Sequence, residues 1–306
     1  MVEITAILVK ELREKSGAGM MDCKMALSEN DGSIEQSIDW LRAKGITKAA
    51  KKSDRIASEG LIGSLINNGS AALVELNSET DFVARNEEFQ NLLKGILEIS
   101  LQNHDIENAQ YQNTGRTVAE EINEKIATIG ENIMLRRVIK YENIVGQHIF
   151  SYTHNAVADS LGKIGVLVSI KSNKDVLELA EFGKSLCMHI AATNPLALSS
   201  DTISPELIER EKQIAIEQAR ESGKPENIIE KMVEGRIKKF TEENALLSQV
   251  FVIDGETRIS KLLEDKSREL EGDIVITRFT RMQLGDGIEK KEDDFAGEVA
   301  AAVSKN

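Results

Sequence analysis

Apolar side chains in the first part of the chain recur at helical spacing, in runs that glycine-containing turns separate. Ile4 and Leu8, four positions apart, illustrate the spacing that places side chains on one face of a helix. The turns fall at residues 16–19 and 31–32, where glycine tolerates the conformations that end helices. The pattern predicts three short helices within residues 1–54. Because a unit this small has little core of its own, we expect it to dock on a partner or on the rest of the chain.

From residue 56 onward the apolar period changes from helical to alternating, which is typical of β-strands. Asn67-Asn68-Gly69-Ser70 is a hairpin signal between two such stretches, because Asn and Gly accept positive φ. The pattern predicts strand, strand, helix, helix and strand, at about 60–66, 71–76, 86–100, 117–128 and 131–141.

A similar order returns later in the chain. Strand, strand, helix and strand are expected at about 146–154, 163–170, 174–192 and 272–283. The last of these, GDIVITRFTRMQ, resembles the earlier strand ENIMLRRVIKY. We interpret residues 55–142 and 143–285 as two copies of one α+β unit with small antiparallel sheets.

The second copy contains an insertion at about residues 198–246. Ser204 and Pro205 suit the cap and first turn of a helix, and Ser222-Gly223-Lys224-Pro225 separates it from a second helix. The expected seam between them consists of Ile208, Ile214 and Ala215 facing Ile229, Met232, Val233 and Ile237. Since two helices bury too little area to form a domain, we expect an antiparallel coiled-coil hairpin that projects and touches another copy or a partner.

The last segment, residues 286–306, begins with glycine-rich turns and predicts a C-terminal helix with Phe295, Val299 and Val303 on one face.

Composition narrows the class of partner. The formal net charge is -13, which argues against a general nucleic-acid binder, because phosphate backbones are held by clustered Lys and Arg. Two cysteines far apart imply no disulfide framework and favour a reducing compartment. The chain shows no signal-like apolar core and no run long enough for a membrane span. We expect a cytoplasmic protein whose partners are proteins.

Residues that could carry catalysis are sparse. The chain has no G-x-x-x-x-G-K-[ST] phosphate loop and no dinucleotide fingerprint, and its four histidines lack metal-ligand spacing. Cys23, beside Asp22 and Lys24, could be a nucleophile, but a buried packing role is commoner for such a residue. We therefore expect no catalysis of its own, no cofactor and no metal. A hydrolase that uses Cys23 or a histidine is an alternative.

One strand-to-helix corner places an aromatic ring beside a carboxylate, in the order Thr80, Asp81, Phe82, Val83. An ordinary helix start would use Thr80 or Asp81 as the cap and pack Phe82 as a hydrophobic staple. Spacing alone favours that interpretation. The alternative is a wedge, in which Phe82 enters an apolar slot on a partner and Asp81 disturbs polar groups there.

Six segments together point to a known family. They are SGAGMMDCKMAL, NSETDFVARNEEF, IGENIMLRRV, KIGVLVSI, GKPENIIEKMVEGRIKKF and GDGIEKKEDDFAGEVAA. In this order and over nearly the whole chain, they resemble the elongation factor Ts family.

The resemblance implies a guanine-nucleotide exchange factor in translation elongation, which binds elongation factor Tu with GDP and promotes exchange for GTP. It implies that residues 1–54 form a ubiquitin-associated-like module, and that the hairpin makes dimer or partner contacts. The residues it assigns to partner docking are Gly17, Gly19, Met20, Met21 and, in the C-terminal helix, Phe295.

The resemblance also assigns two contacts that intrude on the partner. Thr80, Asp81, Phe82 and Val83 match the stretch beside the partner's magnesium site, and His154 matches a second contact. The loop after His154, residues 155–162, is longer than in the shortest family members. A non-exchanging adaptor would share the coarse features and differ in the corner that carries Phe82.

Overall fold

The computed structural model describes residues 4–16, 18–112, 114–221 and 225–289, and these combine helices with small antiparallel sheets. Gly17, Phe295 and the expected C-terminal helix lie outside these residues. The helices are α1 (Ala6–Ser16), α2 (Met20–Glu29), α3 (Ile34–Ala50), α4 (Asp81–Ala84), α5 (Glu87–Gln102), α6 (Val118–Ile129), α7 (Val176–Thr193), α8 (Pro205–Glu221), α9 (Glu226–Asn244) and α10 (Ile259–Glu269). The strands are β1 (Glu59–Asn67), β2 (Ser70–Ser78), β3 (Ile133–Tyr141), β4 (Gln147–His154), β5 (Leu161–Gly162), β6 (Ile164–Ser172) and β7 (Ile274–Gln283).

Apart from the short strand β5, the two sheets have the same order, with the second strand of each unit in the middle. The first runs β3-β2-β1-β5 and the second β4-β6-β7, and every pairing is antiparallel. In each sheet the pairing of the second strand with the returning strand shifts by one residue, between Glu75 and Leu76 in one and between Ser169 and Ile170 in the other. The order and the bulge of the first sheet are therefore repeated in the second.

Alternation along the strands gives each sheet two apolar faces. In β2, Ala72, Val74 and Leu76 join the core formed with α5 and α6. Ala71 and Leu73 point the other way, into a cluster that includes Ile149 and Leu167 of the second sheet. Gly165 lets the sheets approach closely, because a Cβ there would lie 2.5 Å from Leu73 and 2.6 Å from Ile62. The sheets thus stack face to face, with α7 and α10 packed on the outer side of the second.

Two elements of this fold were not predicted. Helix α10 carries apolar residues at only three early positions, 259, 262 and 263, so its period is short. Strand β5 is two residues long and pairs with Ile62 and Gly63 of β1, a contact that no local pattern indicates. Helix α3 runs on to Ala50, near the end of the predicted N-terminal unit.

The expected seam of the helical hairpin was partly wrong. Ala215, Ile229 and Val233 are buried between α8 and α9 as predicted, together with Ala219. Ile214 and Met232 instead remain exposed, and Ile208 packs with the cluster at the base of the hairpin. The physical reason is that Ala215 and Ala219 lie four residues apart, on one helix face, and Ile214 is rotated away from that face.

The sequence showed no apolar run long enough for a membrane span. None of those within residues 4–289 that the structure describes has the length and apolarity to cross a bilayer.

His189 on α7 is fully buried and neutral in the folded protein. Its Nδ1 accepts a hydrogen bond from the Val252 N–H at 3.3 Å, so Nε2 carries the proton and donates to Oε1 of Gln249 at 3.0 Å. Burial lowers the pKa of this imidazole below its usual 6.5. The unfolded chain therefore binds the proton more readily than the folded protein does.

This histidine predicts acid sensitivity of the fold. Since its folded pKa is lowered, its contribution is complete above about pH 6.5 and is lost as the pH falls below that value, by at most about 1.4 kcal/mol per pH unit. Unfolding free energies of the wild type and His189→Gln between about pH 7.5 and 5.5 test this. We expect a shallower pH dependence in the variant, and His104→Gln, at an exposed position, serves as the control. Parallel curves for wild type and His189→Gln would contradict the assignment.

Candidate functional site

The corner after β2 presents Phe82 to solvent. β2 ends at Ser78, and the single turn of α4 follows, with Val83 and Ala84 buried beneath it. Phe82 is 78% exposed, so the interpretation as a hydrophobic staple was wrong. The Thr80 side chain makes no capping bond to α4, and Asp81 is the exposed first residue of the helix. Val83 and Ala84 take the inner positions of the turn, which directs the ring outward.

Two glutamates hold this corner against the segment that leads into β3. The Glu131 carboxylate accepts hydrogen bonds from the Thr80 N–H at 2.9 Å and the Thr80 hydroxyl at 2.6 Å. In the opposite direction, Oε1 of Glu79 accepts from the Asn132 N–H at 2.6 Å. We call these four residues the clasp. Charge-assisted bonds of this kind are short and strong, so the two loops are fixed to each other.

Further hydrogen bonds continue the support on both sides of the clasp. Ser78 Oγ donates to the Thr80 carbonyl at 2.9 Å, and Gln90 Nε2 donates to the Ala84 carbonyl at 3.0 Å. Asn132 Nδ2 donates to the Arg55 carbonyl at 2.8 Å. The backbone on either side of Phe82 is therefore anchored.

His154 lies at the exposed end of β4. Its Nδ1 is 3.1 Å from the Tyr152 hydroxyl, and the two rings are tilted with centroids 6.0 Å apart. The His154 carbonyl accepts from the Lys163 N–H at 3.0 Å. Between these residues, the long loop returns through Asn155 and Ser160, both with positive φ. The loop thus closes directly beside the histidine.

The two intruding contacts implied by the resemblance belong to different sheets, and both lie near residues that contact the Glu59 end of β1. Lys163, next to His154 through its N–H, reaches Oε2 of Glu59 and the carbonyl of Gly60, each at 3.2 Å. Glu59 pairs with Ser78, the last residue of β2 before the Phe82 corner. Lys163 therefore links the end of β4, which carries His154, to the strand that pairs with β2 just before the Phe82 corner.

A second exposed apolar surface lies on the N-terminal helices. Met20 and Met21, at the start of α2, are 60% and 76% exposed, and Gly19 immediately precedes them. Beneath them, α1–α3 pack around a small cluster that includes Leu12 and Leu27. The module contacts the core through α3 and α6, where Arg42 and Glu120 form an ion pair.

Cys23, the cysteine considered as a nucleophile, lies in a packing environment. Cys23 is fully buried, and its Sγ is 3.7 Å from the Ser16 hydroxyl and 3.6 Å from the Ala18 carbonyl. Cys187 is also buried, and burial raises the pKa of its thiol. Across the described parts of the chain, no three His, Cys, Asp or Glu residues gather as metal ligands.

Comparison with known proteins places the chain in a family. The family model described as Elongation factor TS matches residues 79–286. A protein of Allorhizobium ampelinum named Elongation factor Ts is 54% identical over 309 residues, covering 99% of each chain. Proteins of the same name from Agrobacterium fabrum and Rhodospirillum centenum are 53% and 51% identical and are covered over 99% of their lengths. The chain belongs to the elongation factor Ts family.

Proposed function

We propose that this protein is a guanine-nucleotide exchange factor that binds elongation factor Tu with GDP and promotes exchange of GDP for GTP. Family membership supports this activity. The single observation that carries it is an aromatic side chain, Phe82, held in solvent on an anchored corner rather than packed in the core of the described residues. The proposed role is not enzymatic, because the chemistry of exchange is release of a ligand from the partner.

The physical requirement is a difference in affinity between two states of the partner. A GTPase holds nucleotide through magnesium and a cradle of backbone amides. A factor accelerates release only if it binds the nucleotide-free form better than the loaded form, and nucleotide then weakens the factor's binding by the same ratio. The intruding residues must therefore occupy space or polar groups that the loaded partner uses.

We assign that task to the two corners at the end of β1. Phe82 would enter an apolar slot and displace an element of the partner, while Asp81 disturbs the groups that order the magnesium's water shell. Thr80 and Val83 fix the backbone on either side of them. His154 would press on a second element near the phosphates, and its exposed position at the end of β4 suits that role.

Affinity and orientation are assigned to other surfaces. Met20 and Met21, together with Gly17 and Gly19, would dock residues 1–54 on the partner's GTPase domain as a ubiquitin-associated-like module. Phe295 would do the same from the C-terminal helical module, residues 286–306. Core halves at 55–142 and 143–285 would carry one intruding corner each.

The coiled-coil hairpin is proposed as the site of homodimer or partner contacts. A groove of about 640 Å³ follows the side of α8 and α9, lined by Ile208, Ile216 and Ile229 between charged rims. We further propose that the protein acts in the cytoplasm, without direct contact to nucleic acid or membrane and without a cofactor.

Co-purification tests the proposed function directly. Tagged protein should retain elongation factor Tu without bound nucleotide, and added GDP should release it, because the two ligands exclude each other. Bound nucleotide is measured by chromatography of the denatured complex. Equal retention with and without GDP would contradict exchange and favour the adaptor alternative.

A further inference from the structure

The clasp joins two parts of the first sheet that are far apart in sequence. Thr80 and Glu131 are separated by 51 residues, and Glu79 and Asn132 by 53. Each loop supplies one carboxylate and one backbone N–H, so the contact is reciprocal. Such an arrangement constrains both loops more than either could constrain itself.

The end of α6 sets the direction of the clasp. Gly130 follows the helix with φ +94°, a left-handed conformation that favours glycine and ends the helix. The chain turns there, which brings the Glu131 carboxylate to Thr80 and the Asn132 N–H to Glu79. Gly130 therefore provides the turn, and the two residues after it contact the Phe82 corner.

Glu131 contacts Thr80 through both of its carboxylate oxygens. Oε2 accepts from the backbone N–H and Oε1 from the hydroxyl, so the position and the side-chain rotamer of Thr80 are fixed together. Phe82 follows two residues later, with its own side chain free of the core. The orientation of the exposed ring thus depends on a backbone that Glu131 holds.

We propose that Glu131 is a positioning residue for nucleotide exchange, which pre-organises the Phe82 corner before the partner is met. This inference rests on the proposed function. A ring that is held in its binding conformation loses less conformational freedom on insertion than a ring on a mobile loop, and the difference appears in the step that expels nucleotide.

Stopped-flow release of labelled GDP from elongation factor Tu tests the proposal. We expect Glu131→Ala to lower the release rate at saturating factor by about tenfold, with little change in the half-saturating concentration, since docking uses other surfaces. Glu131→Gln retains one acceptor and should fall between Glu131→Ala and the wild type. Thr80→Val, which deletes the hydroxyl partner, should also slow release.

A double-mutant cycle separates positioning from general destabilisation. If Glu131 acts through the ring, Glu131→Ala should have no further effect in a Phe82→Ala background. Hydrogen exchange of the Thr80 amide should be faster in Glu131→Ala, which would show that the hydrogen bonds from Thr80 to Glu131 in the clasp were lost. Glu142→Ala is the matched control, because Glu142 is an exposed glutamate just after the far end of β3 and pairs with Lys140.

The outcomes distinguish this inference from the function on which it rests. If Phe82→Ala slows release but Glu131→Ala does not, only the positioning role is overturned. An equal loss from Glu131→Ala in both backgrounds would also overturn it. If Phe82→Ala itself leaves the release rate unchanged, both the role of Phe82 as a wedge and the positioning role of Glu131 are overturned.

Discussion

Phe82→Ala should slow release of GDP from elongation factor Tu by about 10- to 100-fold at saturating factor. Burying a phenylalanine side chain is worth roughly 1.5–3 kcal/mol, and about 1.4 kcal/mol corresponds to a tenfold change. The ring is 78% exposed in the free protein, so nearly all of that burial would be gained on the partner. Binding to partner with GDP still in place should change little, because the wedge is expected to enter as nucleotide leaves.

Because Phe82 is exposed, its replacement by alanine should not affect the stability of the fold. Removing a side chain that touches little of its own chain should leave the melting temperature unaltered, and α4 accepts alanine. Leu177→Ala is the matched control, since Leu177 is 81% exposed in the first turn of α7, on the other half of the core. Unchanged release by the Phe82 variant, with folding intact, would remove the wedge from the mechanism.

The double variant Met20→Ala/Met21→Ala should weaken the complex with nucleotide-free elongation factor Tu by about 100-fold. Burying each methionine side chain would contribute on the order of 1.5–3 kcal/mol, and we take the lower value because neither pocket need enclose it fully. Release of GDP at saturating factor should remain close to wild type, since these residues are assigned to docking. Titration calorimetry and stopped-flow kinetics measure the two quantities separately.

The two substitutions should not destabilise helix α2, so a change in the dissociation constant would report on docking. Alanine is the best helix former, so both substitutions suit the start of α2. Met188→Ala on α7 is the control for loss of a partly exposed methionine elsewhere. A dissociation constant equal to that of the wild type would exclude this face of the N-terminal module as a docking surface.

Periodicity predicted most of the elements because each is a local pattern that tertiary contacts reinforce. The hairpin at Asn68 and Gly69, for example, has the positive φ values that the residue types favour. The strands on either side alternate between two apolar cores, and the alternation is readable in the sequence. What failed was finer: Ile208 and Ile214 were assigned with Ala215 to the face that α8 presents to α9, whereas the buried residues of that face are Ala215 and Ala219.

The sequence drew attention to the residues of the candidate site but did not predict their geometry. Spacing favoured a packed Phe82, because nothing local tells whether Val83 or Phe82 takes the inner position of a one-turn helix. The sequence pattern predicted Glu131 and Asn132 only as the start of a strand. Their role depends on contacts with Glu79 and Thr80, more than 50 residues away, for which a single sequence gives no signal.

The layer between the two sheets limits how this chain could be divided. Ile62 and Leu73 close against Gly165, and Ser64 reaches Thr153 across the same layer at 3.2 Å. A cut between β3 and β4 would leave each fragment with one uncovered, adhesive apolar face, for which the other fragment is the complement.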